Sequence, residues 1–403
     1  MHFTSCLRAS VPSCLILLLF LAPRAIAQDL RVFETQHYRI HTDLDDDLAA
    51  DLGHRMDVMY EEYSRRMAGF QRPDETTPLE VYLVHSREKY LHLVGISLAG
   101  TAGAFNPHRK LLASFLDGQG RDSLRRTLQH EAFHQFAYEA IGPNLPIWLN
   151  EGLAQIFEEG IWINGSFQLG EVPPRRLRQL KHDIDSGSLF DFSDFLAMNP
   201  LQWAMNRRDP IEATVEYNQA WAMTHFLIFA TDENGQPRYR ARLIQMLKLI
   251  HDGADGQSAF ESAFSDDIPG FARRFDEFAA DLRPTPLATL IENQSVLGDF
   301  LIQLKQRGRT FESLSEFRDA LVAGRWSMHY RSNNLQWQSA GDPNVYFESA
   351  TGQPFGDDEQ YFELAGDRPL ADLVVHAAGM PPLRTRFSEN AGTVEHETLV
   401  DSQ

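Results

Sequence analysis

His130-Glu131-Ala132-Phe133-His134, followed further along by Pro146-Ile-Trp-Leu-Asn-Glu-Gly-Leu-Ala154, decides how this chain is read. On an α-helix, positions i and i+4 share a face, so the imidazoles of His130 and His134 can converge on one ion. Glu131 lies about 100° around that helix, near enough to reach a water on the ion without ligating it. A helix fits the flanking residues. Asp122 or Ser123 is available as its cap, and Leu124, Leu128, Ala132 and Phe136 recur at packing spacing. Glu151 follows His134 by 17 positions. That is enough chain to finish one helix, turn at Gly142-Pro143 and return antiparallel on a second helix with Pro146 in its first turn. Two histidines and a glutamate leave a fourth coordination position open for water, the pattern of a catalytic Zn2+ site. Gly152 lets the second helix approach closely. Gln155, one turn past Glu151, is expected to orient a ligand from outside the coordination sphere.

Outward from this centre the pattern is mixed. Residues 31–42 alternate and read as a strand. The cluster Asp43 to Asp47 supplies cap oxygens for a helix whose apolar stripe runs Leu48, Leu52, Met56, Met59, Tyr60, Tyr63, Met67. Leu79 to Val84 reads as a buried strand, with a helix from about Ser86. Phe105 and Leu111 to Leu116 read as strands joined by a turn at Asn106-Pro107. Further helices are expected at 174–185, 217–230, 237–251 and 269–282. Pro284 and Pro286 mark a boundary, and residues 324–364 suggest a small antiparallel sheet. The stretch from about 380 is polar, carries Pro381-Pro382 and lacks periodicity, so a mobile tail is expected.

The N-terminus reads as an export signal. Arg8 precedes an apolar run, Cys14 to Ala22, that is too short to span a bilayer, and Ala25-Ile-Ala27 gives a cleavage pattern before Gln28. The two cysteines, Cys6 and Cys14, both fall inside it. Disulfides and thiolate chemistry are therefore excluded from the mature chain. The 403 residues carry a formal charge of −19, and removing the signal, with Arg8 and Arg24 and no acid, makes the remainder two charges more negative. Such a chain repels phosphate backbones, so nucleic acid is not expected as a partner.

The two metal segments resemble the gluzincin metallopeptidases. More closely, they resemble the peptidase-MA-like branch and an uncharacterised bacterial gluzincin-like family beside it. Those chains share Pro-x-Trp-Leu-x-Glu-Gly-Leu-Ala, an arginine-rich helix like Pro174-Arg-Arg-Leu-Arg178, and a Tyr-x-Gln-x-Trp helix like Tyr217-Asn-Gln-Ala-Trp221. The resemblance covers roughly residues 35 to 285. It implies an α+β fold with a zincin-like core (a mixed sheet plus the His-Glu-x-x-His helix) and then a helical subdomain; the C-terminal hundred or so residues lie outside it and read as a small β-rich unit. The expected boundaries are a signal peptide at 1–27, a metallopeptidase domain at 28–285, a small α/β unit at 286–379 and the mobile tail at 380–403.

It also implies a chemistry: zinc held by His130, His134 and Glu151, with Glu131 as general base. Gluzincins often take a donor for the oxyanion from a Tyr or His on a later helix. Tyr217, Trp221 and His225 share one helix face here, which reads either as that donor, Tyr217 ahead of His225, or as an aromatic packing stripe. Gly103-Ala104-Phe105-Asn106 resembles the Gly-x-Met-Glu-Asn strand of zinc aminopeptidases without the Glu that grips a free amine, so aminopeptidase activity is doubtful. The strand could still pair with an extended peptide, or be an ordinary sheet edge.

The function expected is an exported, periplasmic or secreted, zinc-dependent hydrolase that cleaves peptide bonds. Its substrate is a peptide or protein, and no stable membrane span remains after signal cleavage. An amide in cell-wall material is a variant of the same chemistry. The alternative is a non-catalytic envelope binding or assembly protein with a structural or vestigial zinc site. Glu131 separates the two, because a purely structural site has no use for it.

Overall fold

Strands β1 (Arg31–Glu34) and β2 (Tyr38–Thr42) form an antiparallel hairpin rather than the single strand expected over 31–42. The break has a tertiary cause. The Asp57 carboxylate accepts hydrogen bonds from Thr35 Oγ1 at 2.8 Å and from the backbone N–H groups of Gln36 and His37 at 3.0 Å each. The structure is a computed structural model that describes residues 30–401 except 96–97, 99, 164–165, 332–334, 365–367 and 391. The export signal read at 1–27, with Cys6 and Cys14, lies outside the described residues.

Helix α1 (Asp46–Arg66) starts at Asp45, whose carboxylate accepts the Leu48 N–H at 2.8 Å. It buries the stripe from Leu48 to Tyr63. Strand β3 (Leu79–Val84) and helix α2 (Arg87–Val94), capped by Ser86, follow as expected. Strands β4 (Gly103–Asn106) and β5 (Leu111–Phe115) complete a sheet of order β1-β2-β3-β5-β4. β2, β3 and β5 run parallel, and β4 is an antiparallel edge. β5 is buried along its whole length, which explains why it is apolar but for Ser114, whose hydroxyl donates to the Ala102 carbonyl at 2.9 Å. One sheet face packs Ile40, Val81 and Leu112 into the main core; the other packs Val84, Ala113 and Phe115 under Tyr90 and Leu93 of α2.

Helix α3 (Arg121–Ala140) lies on the main-core face and carries His130 and His134. Its cap is Gly120 with no side-chain bond. Asp122, expected as a cap, sits inside the first turn, where its charge favours the helix N-terminus. Tyr63 ties α1 to it by donating to the Gln129 carbonyl at 2.7 Å. At the other end Gly142 takes φ +121°, open to glycine without strain, and its N–H reaches the Ala137 carbonyl at 3.0 Å. Pro146 then leads into helix α4 (Ile147–Glu158), which carries Glu151.

The chain continues through a short hairpin, β6 (Ile161–Ile163) and β7 (Ser166–Gln168), into a helical layer. Its members are α5 (Pro174–Asp185), α6 (Phe192–Ala197), α7 (Pro200–Asn206), α8 (Pro210–Phe229), α9 (Arg240–His251), α10 (Gly256–Ala263) and α11 (Ile268–Asp281). Phe192, Phe226, Phe260, Phe271 and Phe275 join this layer to the strand layer in one contiguous core. Among the described residues, no helix is long and apolar enough to cross a membrane.

A second core begins beyond Pro286. Helices α12 (Pro286–Gln306) and α13 (Leu314–Gly324) pack against the small hairpin β8 (His329–Arg331) and β9 (Gln336–Gln338) and a four-stranded antiparallel meander. The meander is β10 (Gln360–Glu363), β11 (Asp372–Val375), β12 (Leu383–Asn390) and β13 (Thr393–Val400). The stretch from 380 expected as a mobile tail is therefore corrected: most of it is the β12–β13 hairpin of this sheet. Leu383, Thr385 and Phe387 are buried and alternate with arginines, a period-two pattern that polar composition and Pro381-Pro382 conceal. Arg125 of α3 pairs with Asp51 at 3.0 Å and with Glu397 of β13, linking the C-terminal sheet to the helix that bears the histidines.

The crossing of α4 and α8 depends on Gly152. A Cβ there would collide with Thr224 Oγ1 and lie 2.5 Å from the Ala220 carbonyl oxygen. Gly152→Ala is expected to cost ~1–3 kcal/mol through overpacking. Urea unfolding checks this as a lowered midpoint; an unchanged midpoint would show that the two helices separate freely.

Candidate metal centre

The turn at Gly142 returns α4 across α3 so that one atom from each of three side chains meets. His130 Nε2 lies 3.1 Å from His134 Nε2. Glu151 Oε2 lies 3.3 Å from the first and 3.5 Å from the second. A tetrahedral ion with bonds of about 2.0–2.1 Å sets its ligand atoms about 3.3 Å apart, so the spacing fits a metal ion. Each side chain is only 10–13% exposed. Glu151 Oε2 is buried and accepts no well-formed hydrogen bond, an otherwise costly state for a carboxylate oxygen. This His-His-Glu group could therefore hold a metal ion.

The charges agree. Burial acts to raise the Glu151 pKa, but the imidazoles, His134 foremost, outweigh it and hold the carboxyl below its usual range. Burial acts to lower the His130 pKa, but the carboxylates of Glu151 and Glu158 raise it well above the ordinary histidine value. A cluster of this kind attracts a proton or a metal ion, and the two compete.

The outer nitrogens fix the ring orientations. His130 Nδ1 lies 3.1 Å from Glu158 Oε2, and His134 Nδ1 lies 3.0 Å from Asn150 Oδ1. Both partners are acceptors, so each Nδ1 carries a proton and each Nε2 is left to serve a metal ion when one is bound. Glu158 is itself held, with Arg176 Nη2 at 3.5 Å and Arg126 Nη2 at 3.7 Å. The neighbouring Glu159 pairs with Arg126 at 2.7 Å, with Arg175 at 2.7 and 2.8 Å, and with Arg176. The arginine-rich start of α5 thus anchors the end of α4.

Gln155 does not orient a ligand side chain as expected. Its Nε2 donates to the Glu151 carbonyl at 3.3 Å, and its Oε1 accepts from Arg176 Nη1 at 2.6 Å. The orienting residues are Glu158 and Asn150, which the sequence reading missed. Glu158 was findable, since it lies two helical turns past Glu151 on the same face.

Glu131 sits beside the ligands and not among them. Its Oε2 accepts the Phe105 N–H of β4 at 2.9 Å. Gly103 makes the approach of α3 to β4 possible, since a Cβ there would lie 2.6 Å from Thr127 Cγ2 and 3.2 Å from Glu131 Cγ. A cavity of about 300 Å³ opens over the three ligands and Glu131, and Tyr217 of α8 forms part of its wall. The Tyr217 ring packs on Trp203, and burial, then the Glu151 charge, raise its pKa, so the hydroxyl remains a donor. His225 is not in that wall. Its ring lies among Trp221, Phe229 and Phe278, and burial lowers its pKa to about 4, so it is a neutral core histidine.

Fold and site together define an α+β protein with a candidate metal centre built from two antiparallel helices. A family model described as a protein of unknown function (DUF1570) is similar to residues 125–239, the segment that holds both metal helices and α8. No curated protein matches the chain.

Removing an orienting partner typically lowers metal affinity ~10–100-fold. Glu158→Gln is expected to behave so while keeping the fold, and Glu151→Ala to abolish tight binding. Titration of each protein with Zn2+ against a competing chelator measures this. Equal affinity of wild type and Glu158→Gln would detach Glu158 from the centre.

Proposed function

We propose that this protein is a gluzincin-type zinc peptidase with a zincin-like core, acting outside the cytoplasm. The observation that carries the reading is Glu131: a carboxylate on the wall of the ligand cavity that is not needed to hold an ion. Two imidazoles and one carboxylate with a fourth position open favour zinc in a catalytic role over a closed structural site. The antiparallel edge strand β4 beside α3 supports the zincin-like assignment. Export rests on the signal read at 1–27.

Zinc, when bound, lowers the pKa of a water and polarises the scissile carbonyl. Glu131 accepts the proton of the attacking water and delivers it to the leaving amine. The Tyr217 hydroxyl donates a hydrogen bond to the oxyanion that develops on the carbonyl oxygen. His130, His134 and Glu151 would hold the ion beside these two groups, and Glu158 and Asn150 orient the two imidazoles for it.

Glu131→Gln is nearly isosteric but cannot take the proton, so it should keep zinc and lose ~10²–10⁴ in kcat. Tyr217→Phe should keep zinc and lose ~10²–10³. Digestion of a broad peptide library, with zinc content measured on the same samples, decides the matter. Undiminished cleavage by Glu131→Gln would remove the mechanism, and a zinc-loaded wild type that cleaves nothing would favour a binding or assembly role.

A further inference from the structure

Arg207 is the one arginine or lysine among the described residues that line the cavity over the metal ligands. It lies at the C-terminal end of α7, where the chain turns into α8. Its side chain is exposed, and among the described residues its guanidinium makes no hydrogen bond, ion pair or ring contact. Other arginines near the centre are committed. Arg125, Arg126, Arg175 and Arg176 are all ion-paired.

Acids are not lacking around Arg207. The chain carries −19 overall, and Glu131, Glu151 and Glu158 share the same cavity wall. Each of these is engaged elsewhere: Glu131 with the β4 backbone, Glu151 with the ligand set, Glu158 with His130. Glu216 is bonded to Asn206; the Arg207 charge acts on it and opposes the rise that burial gives its pKa, but the two form no ion pair. The Arg207 charge is nevertheless felt at α2 and at α8. Burial is the main cause of the raised pKa of Tyr90 on α2 and of Tyr217 on α8, and Arg207 opposes it in both.

An unpaired guanidinium presents a rigid fork of donors that matches a carboxylate with two parallel hydrogen bonds. A carboxylate that enters this cavity beside Glu131 and away from a bound ion meets a countercharge on the wall at Arg207. A peptide offers carboxylates at its C-terminus and on Asp or Glu side chains. We propose that Arg207 is a substrate-binding residue that grips a carboxylate of the bound peptide and makes such peptides the preferred substrates. This rests on the peptidase reading and adds a substrate class to it.

Two pairs of matched peptides test it. One pair differs only in a C-terminal carboxylate or amide; the other, amidated throughout, differs in one internal Glu or Gln. Binding is measured to Glu131→Gln protein and cleavage with Glu131 intact, each with Arg207 and with Arg207→Gln. In one pair the acidic twin should bind and be cleaved about 10-fold or more better, and Arg207→Gln should erase that preference while changing the neutral twin less than about 2-fold. The responding pair identifies which carboxylate is held. Arg207→Lys should restore the preference in part, as charge without the fork. Equal losses for acidic and neutral twins, or no acidic preference in the wild type, would overturn the proposal. If nothing is cleaved but acid-selective binding still depends on Arg207, the peptidase reading fails and the carboxylate site stands.

Discussion

The three side-chain atoms that meet between α3 and α4 set the terms for the rest of the molecule. Two imidazole nitrogens and a carboxylate oxygen lie within 4.8 Å of one another in a largely buried position. Such a group is unfavourable without a cation to share, and it persists only where the scaffold overdetermines it. The scaffold does so through close approach. Gly142 turns the chain back, Gly152 seats α4 on α8, and Gly103 seats α3 on the edge strand β4. A side chain at Gly103 or Gly152 would push one wall of the centre away from another, whereas Gly142 is needed for its positive φ.

Electrostatics extend the same constraint outward. Glu158 must stay ionised to hold the His130 ring, yet burial opposes its ionisation; His130 and Arg176 together keep its pKa below the usual range. Arg126, Arg175 and Arg176 balance Glu158 and Glu159 as a compact cluster. In a chain so acidic overall, the arginines gathered here hold the end of α4 in place. Arg207 differs from them, since it faces the cavity and is committed to none of the described residues. The C-terminal sheet joins the same framework through Arg125, which sits five residues before His130 and pairs with Glu397.

Much of this was legible in the residues because its signals are local. The spacing of His130, His134 and Glu151 states a helix, a turn and a second helix, and the structure has all three. The stripe from Leu48 to Tyr63 and the run from Leu79 to Val84 likewise carry their own period. What failed depends on partners distant in sequence. The hairpin at 35–37 is made by Asp57, and Glu158, not Gln155, reaches the ligand sphere because α3 crosses that end of α4. The β12–β13 hairpin was missed because its buried face includes Thr385, which composition counts as polar, and because half its residues face outward. Spacing alone puts Tyr217 and His225 on one helix face, and packing separates them, the first into the cavity wall and the second into the core.

X-ray absorption at the zinc edge of the purified protein reads out whether His130, His134 and Glu151 form the one open zinc site proposed for them. The expected spectrum is that of a four-coordinate centre with two imidazole nitrogens and light oxygen ligands at about 2.0–2.1 Å, and no sulfur. A protein that takes up no zinc, or a bound ion whose spectrum lacks scattering from two imidazoles, would contradict it.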